Sequence, residues 1–286
     1  MIQSMTGFGK ASLQLSTKKI TVEVKSLNSK GLDLNVRIPS SFREKELKLR
    51  TQIATLLERG KIDFSLFVET TGEETSSKLN ISIVNGYINQ LKEITPYADE
   101  TELLKMAVRF PDTLKADREE VGDYEWNLIQ TVIEEALQNI QNFRRDEGVS
   151  LENEFLLRTN NIFDLMSKAV SYDAERVETV KTRLRTALDE LKVNVDENRF
   201  EQELIFYLEK YDITEEKVRL GNHLNYFKET LNGTEANGRK LGFITQEIGR
   251  EINTMGSKSN HTEMQKLVVM MKDELEKIKE QVLNVL

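Results

Sequence analysis

The sequence predicts an α+β protein: an N-terminal antiparallel sheet with helices, followed by long helices and an all-α C-terminal domain. Two patterns predict it. Apolar residues alternate with polar ones in three short runs near the N-terminus, the signature of half-buried strands. Beyond Pro111 the chain has no proline and repeats its apolar residues at spacings of three and four, the signature of amphipathic helices.

The elements follow in order. Ser4–Leu15 reads as a first strand, and Ile20, Val22 and Val24 mark the second. Leu32, Leu34, Val36 and Ile38 mark the third, with Asn28-Ser-Lys-Gly31 as a hairpin turn between the two. Pro39-Ser-Ser ends that strand, and Ser40 or Ser41 is placed to cap a helix whose apolar residues are Leu47, Ile53, Leu56 and Leu57. Gly60 closes the helix, and Ile62, Phe64, Leu66 and Val68 form a fourth strand, giving the order β-β-β-α-β. A polar connector at 73–77 precedes a helix with Val84, Ile88, Leu91 and Ile94. Trp126, Ile129, Ile133, Leu137 and Ile140 form a further stripe. From 151 to 191 a charged segment keeps Phe155, Ile162, Leu165, Val177, Leu184, Leu188 and Leu191 at helical spacing. It is expected to be a long helix or helical hairpin, to need a partner for its stripe, and to break at Asn194–Asn198. Helices are then expected at 201–210, 213–231, 239–254 and 261–285, the last carrying Met264, Leu267, Val268, Met271, Leu275, Ile278 and Val282. The domains read as 1–72 (the β-β-β-α-β core), 73–150 (the helical remainder of the N-terminal domain), 151–198 (a long helical or coiled-coil segment) and 199–286 (a helical domain with the metal and catalytic candidates).

Composition narrows the chemistry. The chain has no cysteine, so disulfides, thiolate zinc sites and cysteine nucleophiles are excluded. The first residues lack the charged and apolar regions of a signal peptide, and no apolar run is long enough to span a bilayer, so a soluble cytoplasmic protein with no membrane partner is expected. Net charge is −8, but it is uneven: residues 1–61 carry an excess of +7, and residues 112–154 a deficit of −8. A polyanion can bind the first region while avoiding the second. Phe8, Phe42, Phe64 and Phe67 fall in the basic part, yet the low aromatic content gives no evident base-stacking platform. Gly7-Phe-Gly9 lacks the spacing of a dinucleotide loop, and no P-loop lysine pattern exists.

Two helical segments hold the remaining chemistry. In the first, Glu216, Arg219 and His223 share a face, with Asp212 or Thr214 as the cap. In the second, Glu247 and Glu251 lie one turn apart with Thr254 next along, beside a ridge of Gln246, Arg250 and Asn253. Carboxylates at that spacing suit one hard cation, and imidazole participation favours Mn²⁺ over Mg²⁺. A salt-bridged surface helix explains the same spacing. Asn253-Thr-Met-Gly-Ser-Lys258 is expected to end the helix with donors for phosphate oxygens. Gly242 and Gly249 interrupt a helix interior at a cost of about 1 kcal/mol each relative to alanine. Close approach of another backbone or of substrate would explain them.

These motifs resemble those of the YicC/YloC family along the full length. The resemblance rests on Ser4-Met-Thr-Gly-Phe8, Ser26-Leu-Asn28, Arg37-Ile-Pro39, Arg59-Gly-Lys61, Arg109-Phe-Pro111 and Arg199-Phe-Glu-Gln-Glu203. It continues through Asp212-Ile-Thr-Glu-Glu216, Arg219-Leu220, His223, Gly238-Arg239, Gln246-Glu247, Arg250-Glu-Ile-Asn-Thr254 and Ser257-Lys258. It implies an endoribonuclease acting on RNA as a homo-hexamer with a divalent metal, chiefly Mn²⁺, with Mg²⁺ as the substitute. On that basis Asp212, Glu216, His223, Glu247 and Glu251 are the metal candidates, and His223, Glu247, Arg250, Glu251 and Lys258 the catalytic ones. Arg37, Arg43, Arg59, Lys61, Arg219 and Arg239 are the candidates for substrate contact. Gly242 and Gly249 stand where many members carry Asp and Asn, and His261 where the family usually has Asn or Asp, so no role is carried over to it. Two other readings stay open: metal-free internal attack with His223 as base, and a non-catalytic oligomeric RNA-binding or ribonuclease-adaptor protein.

Overall fold

The computed structural model describes residues 2–71, 77–116, 123–190, 197–233 and 238–286. Strands β1 (Gly7–Gln14), β2 (Lys18–Leu27) and β3 (Leu32–Arg37) are followed by a 3₁₀ turn (Ser40–Lys45), helix α1 (Glu46–Leu57) and strand β4 (Gly60–Thr70). Two short strands, β5 (Ser77–Leu79) and β6 (Leu114–Ala116), flank α2 (Ile81–Ile94) and α3 (Glu100–Ala107). Then come α4 (Asp123–Ser171), α5 (Asp173–Glu190), α6 (Glu197–Lys210), α7 (Thr214–Leu231), α8 (Gly238–Lys258) and α9 (Thr262–Val282). The helix predicted for the 151–191 segment is the second half of the 49-residue α4, with α5 after Tyr172. The expected connector at 73–77 falls mostly outside the described residues, as do Leu191 and most of the Asn194–Asn198 break.

The chain forms two compact units, one of Phe8–Lys25 with Leu32–Ile140, the other of Met1–Gly7, Ser26–Gly31 and Gln141–Leu286. The first is built on a sheet ordered β1-β2-β4-β3. It is mixed rather than antiparallel: β3 pairs with β4 in parallel, Leu32 opposite Gly60 and Arg37 opposite Ser65. The reason is α1, which carries the chain back along the sheet before β4 begins, as a parallel pair requires. Nor do β2 and β3 form a hairpin at Asn28–Gly31, because β4 lies between them. The short hairpin joins β1 to β2, where the Leu15 N–H donates to the Lys18 carbonyl at 2.8 Å.

Neither Ser40 nor Ser41 caps α1. The chain enters through the 3₁₀ turn after Pro39, and no side chain bonds that start or the start of α1. Leu47 is exposed and Leu49 takes its place against the sheet with Ile53 and Leu57. On the same buried side lie Ile20, Val22, Val24, Ile62, Phe64 and Leu66, together with Ile129, Ile133, Ala136, Leu137 and Ile140 of α4. Phe42 packs on Trp126 with centroids 5.9 Å apart. Phe8 and Phe67 are exposed.

In the second unit, α7, α8 and α9 enclose a core of Leu220, Leu224, Phe227, Ile244, Ile248, Ile252, Val268, Met271, Leu275 and Ile278. Leu151, Phe155, Ile162 and Met166 of α4 belong to the same cluster. The partner for this part of the charged segment's stripe is therefore the chain's own C-terminal helices. The N-terminal segment is locked in by Arg144, whose guanidinium donates to the Met5 carbonyl (3.2 Å) and to Ser26 Oγ (2.5 Å).

Glu274 ties α9 to α4. Its carboxylate accepts bonds from Lys277 (2.7 Å), Asn161 (2.8 Å) and Arg158 (3.3 Å). Burial alone would push its pKa up, but these donors outweigh burial and hold it below the usual glutamate range. A carboxylate with a depressed folded-state pKa stabilises the fold above its unfolded pKa and loses that contribution as pH falls through the lowered value. Glu274→Gln is therefore expected to reduce stability near neutral pH and to remove part of the acid-induced loss. Urea titrations at pH 7 and in the acid range check this; a variant whose stability tracks wild type at every pH refutes it.

Candidate functional site

Helix α7 packs antiparallel to α8, and two contacts that involve polar side chains mark the ends of the seam. At one end, Lys258 Nζ donates to Glu216 Oε1 at 2.7 Å. At the other, Lys240 Nζ stands 4.8 Å above the Tyr226 ring. The apolar stripes of the two helices, Leu220, Leu224 and Phe227 against Ile244, Ile248 and Ile252, bury the seam.

Glu216 is only 5% exposed, and its Oε2 is buried with no hydrogen-bond partner among the described residues. A buried carboxylate oxygen without a donor costs free energy, so it marks a place where folding has not satisfied its own chemistry. Glu251 is also 5% exposed. Glu247, one turn earlier, is not: its side chain is 48% exposed and lies 3.6 Å from Arg250. The i, i+4 step turns about 40° around the helix, enough to separate a buried from a solvated position. Arg250 is exposed, and Arg219, also exposed, pairs with Glu215. His223 is half-buried and Arg239 exposed.

Asp212 precedes α7. It accepts from the Thr214 hydroxyl at 2.7 Å and from the Thr214 N–H at 3.2 Å, so it bonds the first turn although Ile213 holds the cap position. The Thr214 hydroxyl, above all, lowers its pKa; burial opposes this, and the Thr214 N–H, Lys258 and Arg176 add to the lowering. Arg176, from α5, is 3% exposed and held by Asp173 Oδ1 through Nε (2.9 Å) and Nη2 (2.8 Å). Sequence periodicity marks this region only as an apolar stripe; the Asp173–Arg176 spacing of three at a helix start is the signal that points to the pair.

Asn253–Lys258 does not end α8 as a set of free donors. The helix runs through Lys258, Ser257 Oγ donates to the Thr254 carbonyl at 2.8 Å, and Lys258 is engaged by Glu216. Gly249 faces α9, where an added Cβ would sit 3.2 Å from Leu275 Cδ2, while at Gly242 it would meet Val282 at 3.8 Å. Close helix packing thus accounts for Gly249. His261 acts locally: Nδ1 accepts the Met264 N–H at 3.4 Å to cap α9, and the ring stacks on Tyr172 at 5.4 Å.

The basic N-terminal candidates do not all gather. Lys61 lies opposite Asp33 at the start of the β3–β4 pair and Arg37 opposite Ser65 at its end. Four residues of strand separate those levels by about 13 Å. Arg43 is exposed on the 3₁₀ turn, and Arg59 sits at the bend before β4.

Among the described residues no three His, Asp or Glu side chains converge to hold an ion. The described residues therefore form no closed metal cage. A hard cation takes carboxylates and completes its shell with water and phosphate, and the bare Glu216 oxygen and the buried Glu251 carboxylate are each donors of that type. Among the described residues no helix is long and apolar enough to cross a membrane.

Comparison with known proteins finds relatives along the whole length. The family described as "Endoribonuclease YicC-like, N-terminal region" matches residues 2–153, and "Endoribonuclease YicC-like, C-terminal" matches residues 169–286. The chain is 33% identical over 293 residues to a "Probable endoribonuclease YicC" of Clostridioides difficile, covering all of both chains. It is 30% identical over 286 residues to a protein of the same name from Haemophilus influenzae, covering 99% of each.

Proposed function

The chain belongs to the YicC-like endoribonuclease family, and from that premise we propose that it cleaves RNA phosphodiester bonds internally. The observation that carries the proposal is the end-to-end match to both family regions and to relatives named probable endoribonucleases. We place the reacting centre on the α7–α8 pair, with Glu216 and Glu251 as its carboxylates and Lys258 as its cation. The bare Glu216 oxygen and the 2.7 Å bond to Lys258 support that placement.

Each residue then has a task its position allows. Lys258, held by Glu216, neutralises charge that builds on the phosphate in the transition state. Arg219, Arg239 and Arg250 are exposed and reach phosphate oxygens along the strand. His223, half-buried on α7, takes or returns a proton at the 2′-hydroxyl or the leaving 5′-oxygen. Glu247 beside Arg250 holds that guanidinium in place. Arg37, Arg43 and Lys61 bind backbone phosphates without reading sequence, a contribution that weakens with salt. Mn²⁺ or Mg²⁺, held by Glu216 and Glu251 with Asp212, His223 and Glu247 as further candidate donors, would supply Lewis-acid chemistry. A cytoplasmic homo-hexamer is part of the same proposal.

The test is cleavage of a 5′-labelled structured RNA in Mn²⁺, Mg²⁺ or EDTA. Fragments are expected with Mn²⁺ and none with EDTA, and Glu216→Gln and Glu251→Gln should each slow cleavage by about 100-fold or more. Ends bearing 3′-hydroxyl indicate attack by water, whereas 2′,3′-cyclic ends indicate internal attack with His223 as base. RNA that stays intact in every arm while still binding defeats the nuclease reading in favour of the adaptor.

A further inference from the structure

Between α5, α6 and the turn before α7 lies an open cleft of about 500 Å³, lined by Asp173, Arg176, Val177, Leu208, Glu209 and Asp212. Its size lies within the range of about 300–1,000 Å³ usual for small-ligand sites. Three carboxylates repel a phosphate, so the cleft is not a backbone channel. Two of the three are engaged: Asp173 holds Arg176, and Asp212 holds Thr214. Among the described residues no hydrogen bond is made to the Glu209 carboxylate, and Arg176 bonds Asp173 through Nε and Nη2, which leaves Nη1 without a hydrogen bond while the guanidinium charge also acts on Asp212. The cleft therefore offers one open carboxylate, one open guanidinium N–H from a buried arginine, and apolar walls from Val177 and Leu208.

One residue before the lining Leu208 and Asp212 in the chain, Tyr207 and Tyr211 make an aromatic ladder at the end of α6. The Tyr207 and Tyr211 rings are nearly parallel, at 10° and 6.3 Å between centroids, with Lys210 5.8 Å above Tyr211. Phe206 stands edge-on to Tyr207 at 6.2 Å and is 59% exposed. Tyr207 and Tyr211 are half-buried, and partly open rings beside a cation can stack a base regardless of its identity.

We propose that this cleft is a nucleobase subsite that takes an unstacked guanine of the RNA, with the flanking base on the Tyr207–Tyr211 ladder. Guanine presents two adjacent donors, N1–H and the N2 amino group, and O6 as an acceptor. The Glu209 carboxylate accepts the two donors side by side, and Arg176 donates to O6. Adenine and cytosine offer one amino donor beside a ring acceptor, which faces the carboxylate unfavourably, and uracil offers a single N–H between two carbonyls. Recognition of a splayed base through its Watson–Crick edge is the usual route to sequence preference on single-stranded RNA. This rests on the endoribonuclease reading for its biological role, and it assigns that enzyme a preference for guanine at a fixed position near the cut.

Calorimetric titration of the full chain with guanosine, inosine, adenosine and cytidine tests binding apart from cleavage. Guanosine is expected to bind about tenfold more tightly than inosine, which lacks the N2 amino group, and Glu209→Gln to erase the difference. Cleavage of a randomised RNA should show guanine enriched at one position, with the enrichment lost in Glu209→Gln and weakened in Tyr211→Leu. Equal binding of all four nucleosides, or a preference unchanged in Glu209→Gln, overturns the subsite. Guanosine-selective binding by a chain that cuts no RNA upholds the subsite and defeats the nuclease reading instead.

Discussion

Lys258→Met is expected to destabilise the fold by about 3 kcal/mol, and Glu216→Gln in the same chain to restore most of that stability. The Glu216 side chain is 7% exposed and that of Lys258 27%, so the pair is largely withdrawn from water. Removing the ammonium leaves a carboxylate buried beside an apolar seam, with Oε2 already lacking a donor. The loss is set by that stranded charge more than by the attraction removed, which is why neutralising Glu216 should rescue it. Partial exposure of Lys258 keeps the effect at the low end of the usual range. A double-mutant cycle by urea denaturation measures it. If Lys258→Met costs less than about 0.5 kcal/mol, the pair is a solvated surface contact of the kind worth little. In that case Lys258 is not fixed where the proposed chemistry needs it. Separately, a double variant that regains stability while remaining inactive would show that the pair is kept for function, since folding no longer requires it.

Local periodicity carries most of the fold and little of the site. The C-terminal helices are legible because each keeps an apolar face: Met264, Val268, Met271, Leu275 and Ile278 predict α9, and all are buried. The strands are legible for the same reason at period two. Strand order is not, since alternation states which face is buried but not which neighbour is paired, and β4 entering between β2 and β3 leaves no mark in either run. The site is legible as a set of residues rather than as a geometry. Glu247 and Glu251 have the same spacing whether they share an ion or stand in different environments, and only the packing of α8 against its neighbours buries one and exposes the other. The Glu216–Lys258 bond joins residues 42 apart in sequence, beyond the reach of any helical spacing rule. Arg176 and Glu209 escape a reading of periodicity because a charged residue on an amphipathic helix reads as solvated until the cleft beside it is known.

Gly9→Val is expected to cost about 4 kcal/mol or more, a large share of the roughly 5–15 kcal/mol that holds a typical domain together. A Cβ built at Gly9 would fall 2.2 Å from the Ala136 carbonyl oxygen, 2.7 Å from the Ile140 amide nitrogen and 2.9 Å from Ile140 Cβ. Two of those atoms are helix backbone, which cannot swing aside as a side chain does. The strand and α4 would have to part, and contact is fixed there by Asn139 Nδ2, which donates to the Lys10 carbonyl at 3.0 Å. Parting them opens the layer that buries Ile20, Val22, Ile133 and Ile140, so the loss includes hydrophobic burial as well as the clash. The Gly7-Phe-Gly9 stretch thus owes its second glycine to the approach of α4. Gly221→Ala on α7 is the control, because nothing lies within 4 Å of the Cβ it would add and alanine is the better helix former by about 1 kcal/mol. Denaturation midpoints should move in opposite directions for the two variants. A Gly9→Val chain as stable as wild type would mean that β1 and α4 do not meet at this distance. The sheet would then have to be covered by some other packing of α4 than the backbone-to-backbone approach at Ala136 and Ile140.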